Sequence, residues 1–226
     1  MDPSVSVVAP VFNEEALIEE FYRRVAAVMT ELKEPWELVL VNDGSQDRTP
    51  ELLDAIYEKD PGHVVVVHFA RNFGHQLAIT AGMDYARGQA VVTIDSDLQD
   101  PPEIIPALVK KWREGYEVVF AVRSEREGES WFKLATADLF SRIIQRLTSV
   151  RIPMEAGDFR LLDRKALAYI RAMREQHRFV RAMTSWVGFR QTGVPYRRQA
   201  RKAVSTSATA DAKLCLSFSC TTGFPV

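Results

Sequence analysis

The sequence has few cysteines and no long apolar run. Its two cysteines, Cys215 and Cys220, lie close to the end of the chain with no histidine near them, so neither a disulfide framework nor a zinc site is expected. No stretch approaches the roughly 18 apolar residues that a helix needs to cross a bilayer. The first residues, Met1-Asp2-Pro3, are not followed by a basic region and an apolar segment, so we expect no signal peptide. These absences predict a protein of a reducing compartment that, as given, is soluble or bound to a membrane surface.

The chain also lacks a strong net charge. Its 29 basic and 30 acidic residues give a formal net charge of −1, which offers no support for a nucleic-acid partner. Basic residues are nevertheless frequent between Arg160 and Lys202, where they would suit phosphates or an anionic membrane surface. With 226 residues, of which 46% are hydrophobic and 26% charged, the sequence has the size and composition of one large globular domain.

Apolar segments of strand length alternate with segments of helical periodicity as far as Val122. Predicted strands cover residues 5–9, 36–41, 64–69, 90–94 and 117–122, and predicted helices cover residues 14–32, 49–57, 76–85 and 104–113. Further along, 157–162 and 191–196 are expected to be short strands, and 164–173 and 179–187 to be helices. Nearly continuous apolar strands separated by helices are typical of a sheet covered on both faces. The predicted fold class is therefore α/β, with a mostly parallel sheet flanked by helices.

Polar clusters follow five of the predicted strands. These clusters are residues 10–15, 43–47, 71–72, 95–99 and Arg123. In open α/β sheets ligands bind beyond the carboxyl ends of the strands, so the clusters are expected to meet in one site. Asp95 and Asp97, two residues apart at a strand end, offer hard oxygen ligands for Mg²⁺ or Mn²⁺ carried in by a phosphorylated substrate. Paired acids can also merely cap the next helix, as Asp100 or Glu103 could do here.

Two later segments stand apart from the alternation. Residues 131–147 place apolar side chains along one helical face, which indicates an amphipathic helix that either lies in a membrane interface or packs on the core. Residues 203–213, rich in Ala, Ser and Thr, form the one low-complexity segment of the sequence. We therefore expect a domain of residues 1–202 followed by a tail of residues 203–226.

Several ordered motifs together resemble the inverting family-2 glycosyltransferases of GT-A fold. The motifs are VAPVFNEE at 8–15, VNDGSQD at 41–47, NFGHQ at 72–76 and DSDLQDPPE at 95–103. GDFRL at 157–161 and RFVR at 178–181 are most similar to the polyprenyl-phosphate glycosyltransferases, which include dolichol-phosphate mannose synthases and bactoprenol glucosyltransferases. The resemblance covers about residues 4–201. Several ordered motifs at matching spacing are far more specific than a single Asp-x-Asp.

The resemblance implies a role for each matching residue. The base and ribose of the donor nucleotide would be bordered by Pro10, Phe12, Glu14 and Asp43. The divalent metal would be held by Asp95 and Asp97, with Gln99 beside them. Phosphates would be contacted by Arg71, Arg123 and Arg201. Asp158 would lie at the acceptor end, where the family has an acid proposed as the base, so the candidate catalytic residues are Asp97, Arg123 and Asp158.

The chemistry of the acceptor leaves a different interpretation of Asp158 open. A lipid monophosphate is already largely ionised near neutral pH, because its second pKa is about 6 by analogy with phosphoserine, so it hardly needs a base. Asp158 would then position a cation or an arginine, or it would be a structural acid paired with Arg160. His75 is expected to order a loop rather than to take part in the chemistry.

The resemblance implies transfer of a sugar from a nucleotide-diphosphate sugar to a polyprenyl (undecaprenyl) phosphate. The donor would be UDP-glucose or a related UDP-hexose sooner than a GDP-sugar, and the enzyme would be peripheral on the cytoplasmic face of the membrane. The same donor chemistry with a soluble or polysaccharide acceptor, and an inactive nucleotide-sugar-binding remnant, remain open. The sequence lacks Gly-x-Gly-x-x-Gly after the first strand, which argues against a dinucleotide-binding protein.

The end of the chain departs from the pattern of this family. Its members continue into two transmembrane helices and form membrane-associated oligomers, so a homo-oligomer is among the expected partners. Here the match ends near Ala203, and the tail is expected to be truncated, divergent or altered in reading frame. Membrane anchoring and some acceptor contacts would be affected, whereas the donor motifs all precede residue 125.

Overall fold

The structure is a computed structural model that describes residues 3–123, 156–173, 175 and 178–198. The strands in this part of the chain are β1 (Val5–Val11), β2 (Trp36–Asn42), β3 (Val64–His68), β4 (Ala90–Thr93), β5 (Val118–Arg123), β6 (Ala156–Asp163) and β7 (Gln191–Tyr196). The α-helices are α1 (Ile18–Leu32), α2 (Thr49–Lys59), α3 (His75–Tyr85), α4 (Ile105–Arg113), α5 (Arg164–Ala172) and α6 (Val180–Trp186). A 3-10 turn (Pro102–Ile104) leads into α4.

One sheet joins all the described strands in the order β3-β2-β1-β4-β6-β5-β7. Every neighbouring pair is parallel except those of β6, which runs antiparallel to both β4 and β5. Thr93 of β4 faces Arg160 of β6, and Val122 of β5 faces Ala156. The predicted α/β class with a mostly parallel sheet is confirmed. Because β6 runs in reverse, its first residues lie at the edge where the parallel strands end.

Helices cover both faces of the sheet, which explains why the central strands are buried and mostly apolar. All seven residues of β1 are buried, and alternate side chains point to opposite faces. Val7 packs in one core with Phe21 of α1 and Leu108 of α4. Val8 packs in the second core with Ile79 of α3 and Leu167 of α5.

The elements agree closely with the sequence prediction, apart from the start of α1. The periodicity predicted a helix from residue 14, whereas α1 begins at Ile18, because residues 13–15 hydrogen-bond to the loop after β2 instead. Residues 131–147, Arg201 and the tail 203–226 lie outside the described residues.

No helix within the described ranges combines the length and the apolar character that crossing a bilayer requires.

Candidate active site

A cleft of about 370 Å³ opens at the carboxyl edge of the sheet. It is lined by residues that follow β1, β2, β3 and β4: Pro10, Val11, Phe12, Glu14, Asp43, Asn72, Gly74, His75, Asp95, Ser96 and Asp97. Six of the residues assigned to donor or metal binding from the sequence therefore border a single cavity. The convergence follows from the sheet, since parallel strands present their carboxyl ends on one side.

The loop after β1 is fixed by hydrogen bonds to the loop after β2. Asn13, whose φ of 52° is left-handed, donates its backbone N–H to Ser45 Oγ over 3.0 Å and accepts from Gln46 N over 2.9 Å. Glu14 donates its backbone N–H to Thr49 Oγ1 at 2.9 Å. Phe12 keeps 43% of its surface exposed, so an aromatic face is available at the cleft. These contacts set the wall where the nucleotide is expected to lie.

Asp43 joins the loops after β2 and β3. Its buried carboxylate accepts hydrogen bonds from the backbone N–H groups of Phe73 at 2.7 Å and of Gly74 at 3.0 Å. The next residue, Gly44, has a φ of 69°, and a Cβ there would lie 2.3 Å from the carbonyl carbon of Arg71. Asp43 therefore organises the cleft wall as well as bordering the cavity.

Asp95 and Asp97 follow β4 in a loop that is tied to β1. Ser96 Oγ donates to the carbonyl of Pro10 at 2.9 Å, and Asp97 Oδ1 accepts from the backbone N–H of Gln99 at 3.0 Å. Asp95 Oδ1 is buried, and among the described residues it has no hydrogen-bond donor. Burial raises the pKa of Asp95 to about 6; the charge of His75 opposes this rise, while the other carboxylates nearby add to it.

This pair of carboxylates fits a divalent cation that is shared with a phosphate. An orphaned carboxylate oxygen beside a second carboxylate is the ligand chemistry of Mg²⁺ or Mn²⁺. Within the described part of the chain no group of three or more His, Cys, Asp or Glu side chains could hold a metal. The protein would thus supply Asp95 and Asp97, and the remaining ligands would come from the substrate and water.

Asp158, near the start of β6, has cationic or amide groups around it. His75 Nε2 lies 3.2 Å from its Oδ2, and Gln76 Nε2 donates to the same oxygen at 3.3 Å. Guanidinium nitrogens of Arg181 and Arg160 lie 3.7 Å and 3.9 Å from its Oδ1. Burial alone would raise the pKa of Asp158, but His75 and the two arginines outweigh it and hold that pKa below the usual range of an aspartate. The side chain is thus held as a carboxylate.

Arg160 itself is not mainly a partner of Asp158. Its buried guanidinium donates to Thr184 Oγ1 at 2.5 Å and to the carbonyl of Gly157 at 2.6 Å. Burial lowers its pKa to about 10. The contacts favour the interpretation in which Asp158 positions cations over the one in which it is a structural acid of Arg160.

His75 joins the two ends of the site. It begins α3, and its Nε2 lies 3.5 Å from Asp95 Oδ1 as well as 3.2 Å from Asp158 Oδ2. The hydrogen bond to Asp158 raises the pKa of His75, burial opposes the rise, and the charge of Asp95 adds to it. Sequence reasoning assigned His75 to loop ordering and missed this place. The available signal was its place in the NFGHQ motif at 72–76.

The arginines assigned to phosphates lie near the cleft rather than among its lining. Arg71 stacks on the Phe73 ring at 4.0 Å and donates to the carbonyl of Asn72 at 3.0 Å. Arg123 Nε donates to the Tyr196 hydroxyl at 3.3 Å. Gln99 takes part through its backbone contact with Asp97, and Arg201 lies outside the described residues.

Comparison with known proteins decides the family. Residues 6–171 match the family described as Glycosyl transferase family 2. The chain belongs to glycosyl transferase family 2. The cleft thus lies in a family-2 domain, and the motifs that border it are those on which the resemblance to this family rests.

Relatives of this family-2 chain are longer than the chain. It is 53% identical over 201 residues to the uncharacterized glycosyltransferase YkcC of Bacillus subtilis, covering 89% of this chain and 62% of the relative. It is 42% identical over 201 residues to a bactoprenol glucosyl transferase of Shigella phage SfV, covering 88% and 64%. The chain therefore spans less than two thirds of the length of these relatives.

A solved structure shares the fold. The mannosyltransferase from Pyrobaculum calidifontis in complex with GDP-Man and Mn²⁺ superposes with a TM-score of 0.60 at 21% identity, covering 86% of this chain and 55% of that one. The GT-A type of α/β arrangement expected from the sequence is thus confirmed as the fold.

Proposed function

We propose that this chain transfers a sugar, with inversion at the anomeric carbon, from a nucleotide-diphosphate sugar to a polyprenyl phosphate. UDP-glucose or a related UDP-hexose is the donor we favour, with Mg²⁺ or Mn²⁺ as the metal. The carrying observation is a cleft lined by Asp95, Asp97 and His75, with the cation-rich surroundings of Asp158 next to it through the contact of His75 with Asp158. The likeness to a bactoprenol glucosyl transferase supports the acceptor.

The donor end is suited to bind a nucleotide and a leaving diphosphate. Phe12 would stack on the base, while Pro10, Glu14 and Asp43 would border base and ribose. A divalent ion held by Asp95 and Asp97 would act there as a Lewis acid on the diphosphate. Arg71, Arg123 and Gln99 would add hydrogen bonds to phosphate oxygens, because guanidinium groups bind phosphate in a bidentate way.

The acceptor end is suited to hold an anion in place. The lipid phosphate is largely ionised at neutral pH, with a second pKa of about 6, so no strong base is required. Asp158, itself ionised, would orient His75 and Arg181 toward the acceptor phosphate. One attack from the side opposite the leaving group inverts the configuration. Arg201 would contribute further phosphate contacts.

The membrane location is part of the same proposal. A polyprenyl phosphate resides in a bilayer, so the domain of residues 1–202 would work at the cytoplasmic surface, with residues 131–147 as an amphipathic anchor. A homo-oligomer on that surface is also proposed, whereas the near-neutral charge gives no reason to expect a nucleic-acid partner.

The test is transfer of labelled sugar from a panel of UDP- and GDP-sugars into solvent-extractable undecaprenyl phosphate. The full chain is assayed with Mg²⁺, with Mn²⁺ and with EDTA, beside Asp97→Ala. Asp84→Ala, which removes an exposed carboxylate paired with Arg171, serves as the matched control. We expect label in the lipid phase that requires the metal and Asp97 and is unaffected by Asp84→Ala.

Other outcomes discriminate the alternatives. Label that stays in the aqueous phase, on a soluble acceptor or a polysaccharide, would contradict the lipid acceptor alone. Metal-dependent UDP binding without any transfer would identify an inactive nucleotide-sugar-binding remnant. A chain that binds neither UDP nor GDP would overturn the assignment of the cleft.

A further inference from the structure

Asp100 is a buried carboxylate that the reaction as described above does not use. It follows Asp97 by three residues, in the same loop, and its side chain is 1% exposed. Its Oδ1 accepts a hydrogen bond from the Tyr196 hydroxyl and lies 3.5 Å from Arg198 Nε. Its Oδ2 has no hydrogen-bond donor among the described residues, and Arg123 Nη2 lies 4.0 Å away.

The partners of Asp100 come from the carboxyl ends of two neighbouring strands. β5 and β7 pair in parallel, with Arg123 directly opposite Tyr196 in the register. Arg123 Nε donates to the Tyr196 hydroxyl at 3.3 Å, while that hydroxyl donates to Asp100. Tyr196 therefore links the arginine to the carboxylate. Arg198 reaches the same carboxylate from two residues beyond β7.

Contacts with the described residues leave both arginines with donors that could bind a ligand. The side chains of Arg123 and Arg198 are each 35% exposed, and every guanidinium carries five N–H donors. Two guanidinium groups face one carboxylate, so Asp100 leaves an excess of positive charge beside the Asp95–Asp97 loop. A buried acid that held a single structural ion pair would not need the second arginine.

Arg123 also lies beside Gly157, the residue before Asp158. A Cβ on Gly157 would lie 3.2 Å from its Nη2, so the glycine before Asp158 leaves room for the guanidinium. Burial lowers the pKa of Arg123, but the Tyr196 hydrogen bond and the charges of Asp100 and Asp95 outweigh it, and the pKa rises. Arg123 is thus within electrostatic reach of the metal-binding carboxylate.

We propose that Asp100 and Tyr196 are positioning residues that hold Arg123 and Arg198 as a pair of ligands for the diphosphate of the donor. The inference rests on the proposed function, because it names the group of the donor that the pair would bind. It predicts that loss of Asp100 weakens binding in proportion to the phosphate content of the ligand.

The first test compares UDP with UMP, and GDP with GMP in parallel, by titration calorimetry in Mn²⁺. The variants are Asp100→Asn, which removes the charge, and Tyr196→Phe, which removes only the hydroxyl. Glu37→Gln is the matched control, since Glu37 is an equally buried acid paired with an arginine, Arg87, at the amino edge of the sheet. We expect Asp100→Asn to weaken diphosphate binding about tenfold and Tyr196→Phe about threefold, with monophosphate binding changed far less.

The second test detects positioning without any nucleotide. Phenylglyoxal modifies guanidinium groups, and peptide mapping measures the rates at Arg123 and Arg198. Asp100→Asn should release both arginines from the carboxylate. The modification rates at Arg123 and Arg198 should therefore be severalfold faster in this variant than in the wild type or in Glu37→Gln.

Two results would overturn the inference. One is an equal loss of diphosphate and monophosphate affinity in Asp100→Asn, which a merely structural acid would produce. The other is an unchanged labelling rate at both arginines. A wild type that binds none of the nucleotides would instead contradict the proposed function, while the labelling still decides whether Asp100 holds the arginines.

Discussion

Acids at the two edges of the sheet differ in how their oxygens are hydrogen-bonded. Glu37 represents the amino edge, and Asp95, Asp100 and Asp158 represent the carboxyl edge. Both oxygens of Glu37 are satisfied: Ser6 Oγ and Arg87 N donate to Oε1, each at 2.6 Å, and Arg87 Nε donates to Oε2 at 2.9 Å. Among the described residues, Asp95, Asp100 and Asp158 each keep one buried oxygen without a hydrogen-bond donor.

The difference separates polar groups that hold the fold from polar groups that await a ligand. A buried acceptor without a donor costs folding free energy, so such atoms are rare in native proteins. Here three carboxylates with such an atom gather at the edge that carries the cleft. A metal ion brought by a substrate would complete Asp95, whereas Asp100 and Asp158 stand beside arginines that a phosphate could engage.

The largest expected effect is at Asp95. Asp95→Asn should lower metal-dependent transfer by about 100-fold or more, because one of the two proposed metal ligands would lose its charge. Its melting temperature should stay the same or rise, since burial disfavours the ionised side chain. Transfer assays with Mn²⁺ and thermal melts in EDTA measure the two quantities. If Asp95→Asn lowered the melting temperature and kept full transfer activity, the proposed difference between the two edges would be wrong.

The opposite pattern is expected at Glu37. Glu37→Gln should lower the free energy of unfolding by about 2 kcal/mol, because the amide carries no charge to pair with the Arg87 guanidinium and keeps only one of the two acceptor oxygens. Its affinity for UDP should match that of the wild type, since Glu37 lies at the far edge. Urea unfolding and calorimetry test this. Lost UDP affinity with unchanged stability would show that the amino edge also serves binding.

The smallest expected effect concerns pH and His75. The raised pKa of His75 makes its contact with Asp158 stabilising below about 6.5, and this stability is lost as the pH rises through the folded pKa. The lowered pKa of Asp158 means that the contribution of its carboxylate to folding stability is lost only in strong acid. His75→Gln in EDTA should therefore lower the melting temperature more at pH 5.5 than at pH 9. An equal shift at both values would contradict a charged contact.

Local pattern was enough to predict the strands and helices, and with them much of the site. Residues 5–9 and 36–41 are apolar apart from Ser6 and Glu37 because both faces of the sheet are covered, and the polar residues after each strand then share one edge. Pro10, Asp43 and Asp95 meet in the cleft for this reason. Their roles in binding remain predictions that the experiments above address.

The remaining features of the site and of the sheet depend on contacts between residues that are far apart in the sequence. Asp100 and Tyr196 are 96 positions apart and meet only because β7 pairs with β5. His75 belongs to the NFGHQ motif, but the motif alone does not indicate that it lies between Asp95 and Asp158. The strand at 157–162 was predicted, but its antiparallel place between β4 and β5 was not, because long-range pairing decides it.

The reversed direction of β6 has a consequence for how such enzymes can diversify. Val122 and Ala156 are register partners, so the chain leaves the sheet and returns to it at the same edge. The pairing of β5 with β6 therefore holds Arg123 and Asp158 at one edge of the sheet, whatever sequence joins the two strands. Exchanging the residues between Arg123 and Ala156 among relatives should leave the donor unchanged, because the donor motifs lie before them in the chain.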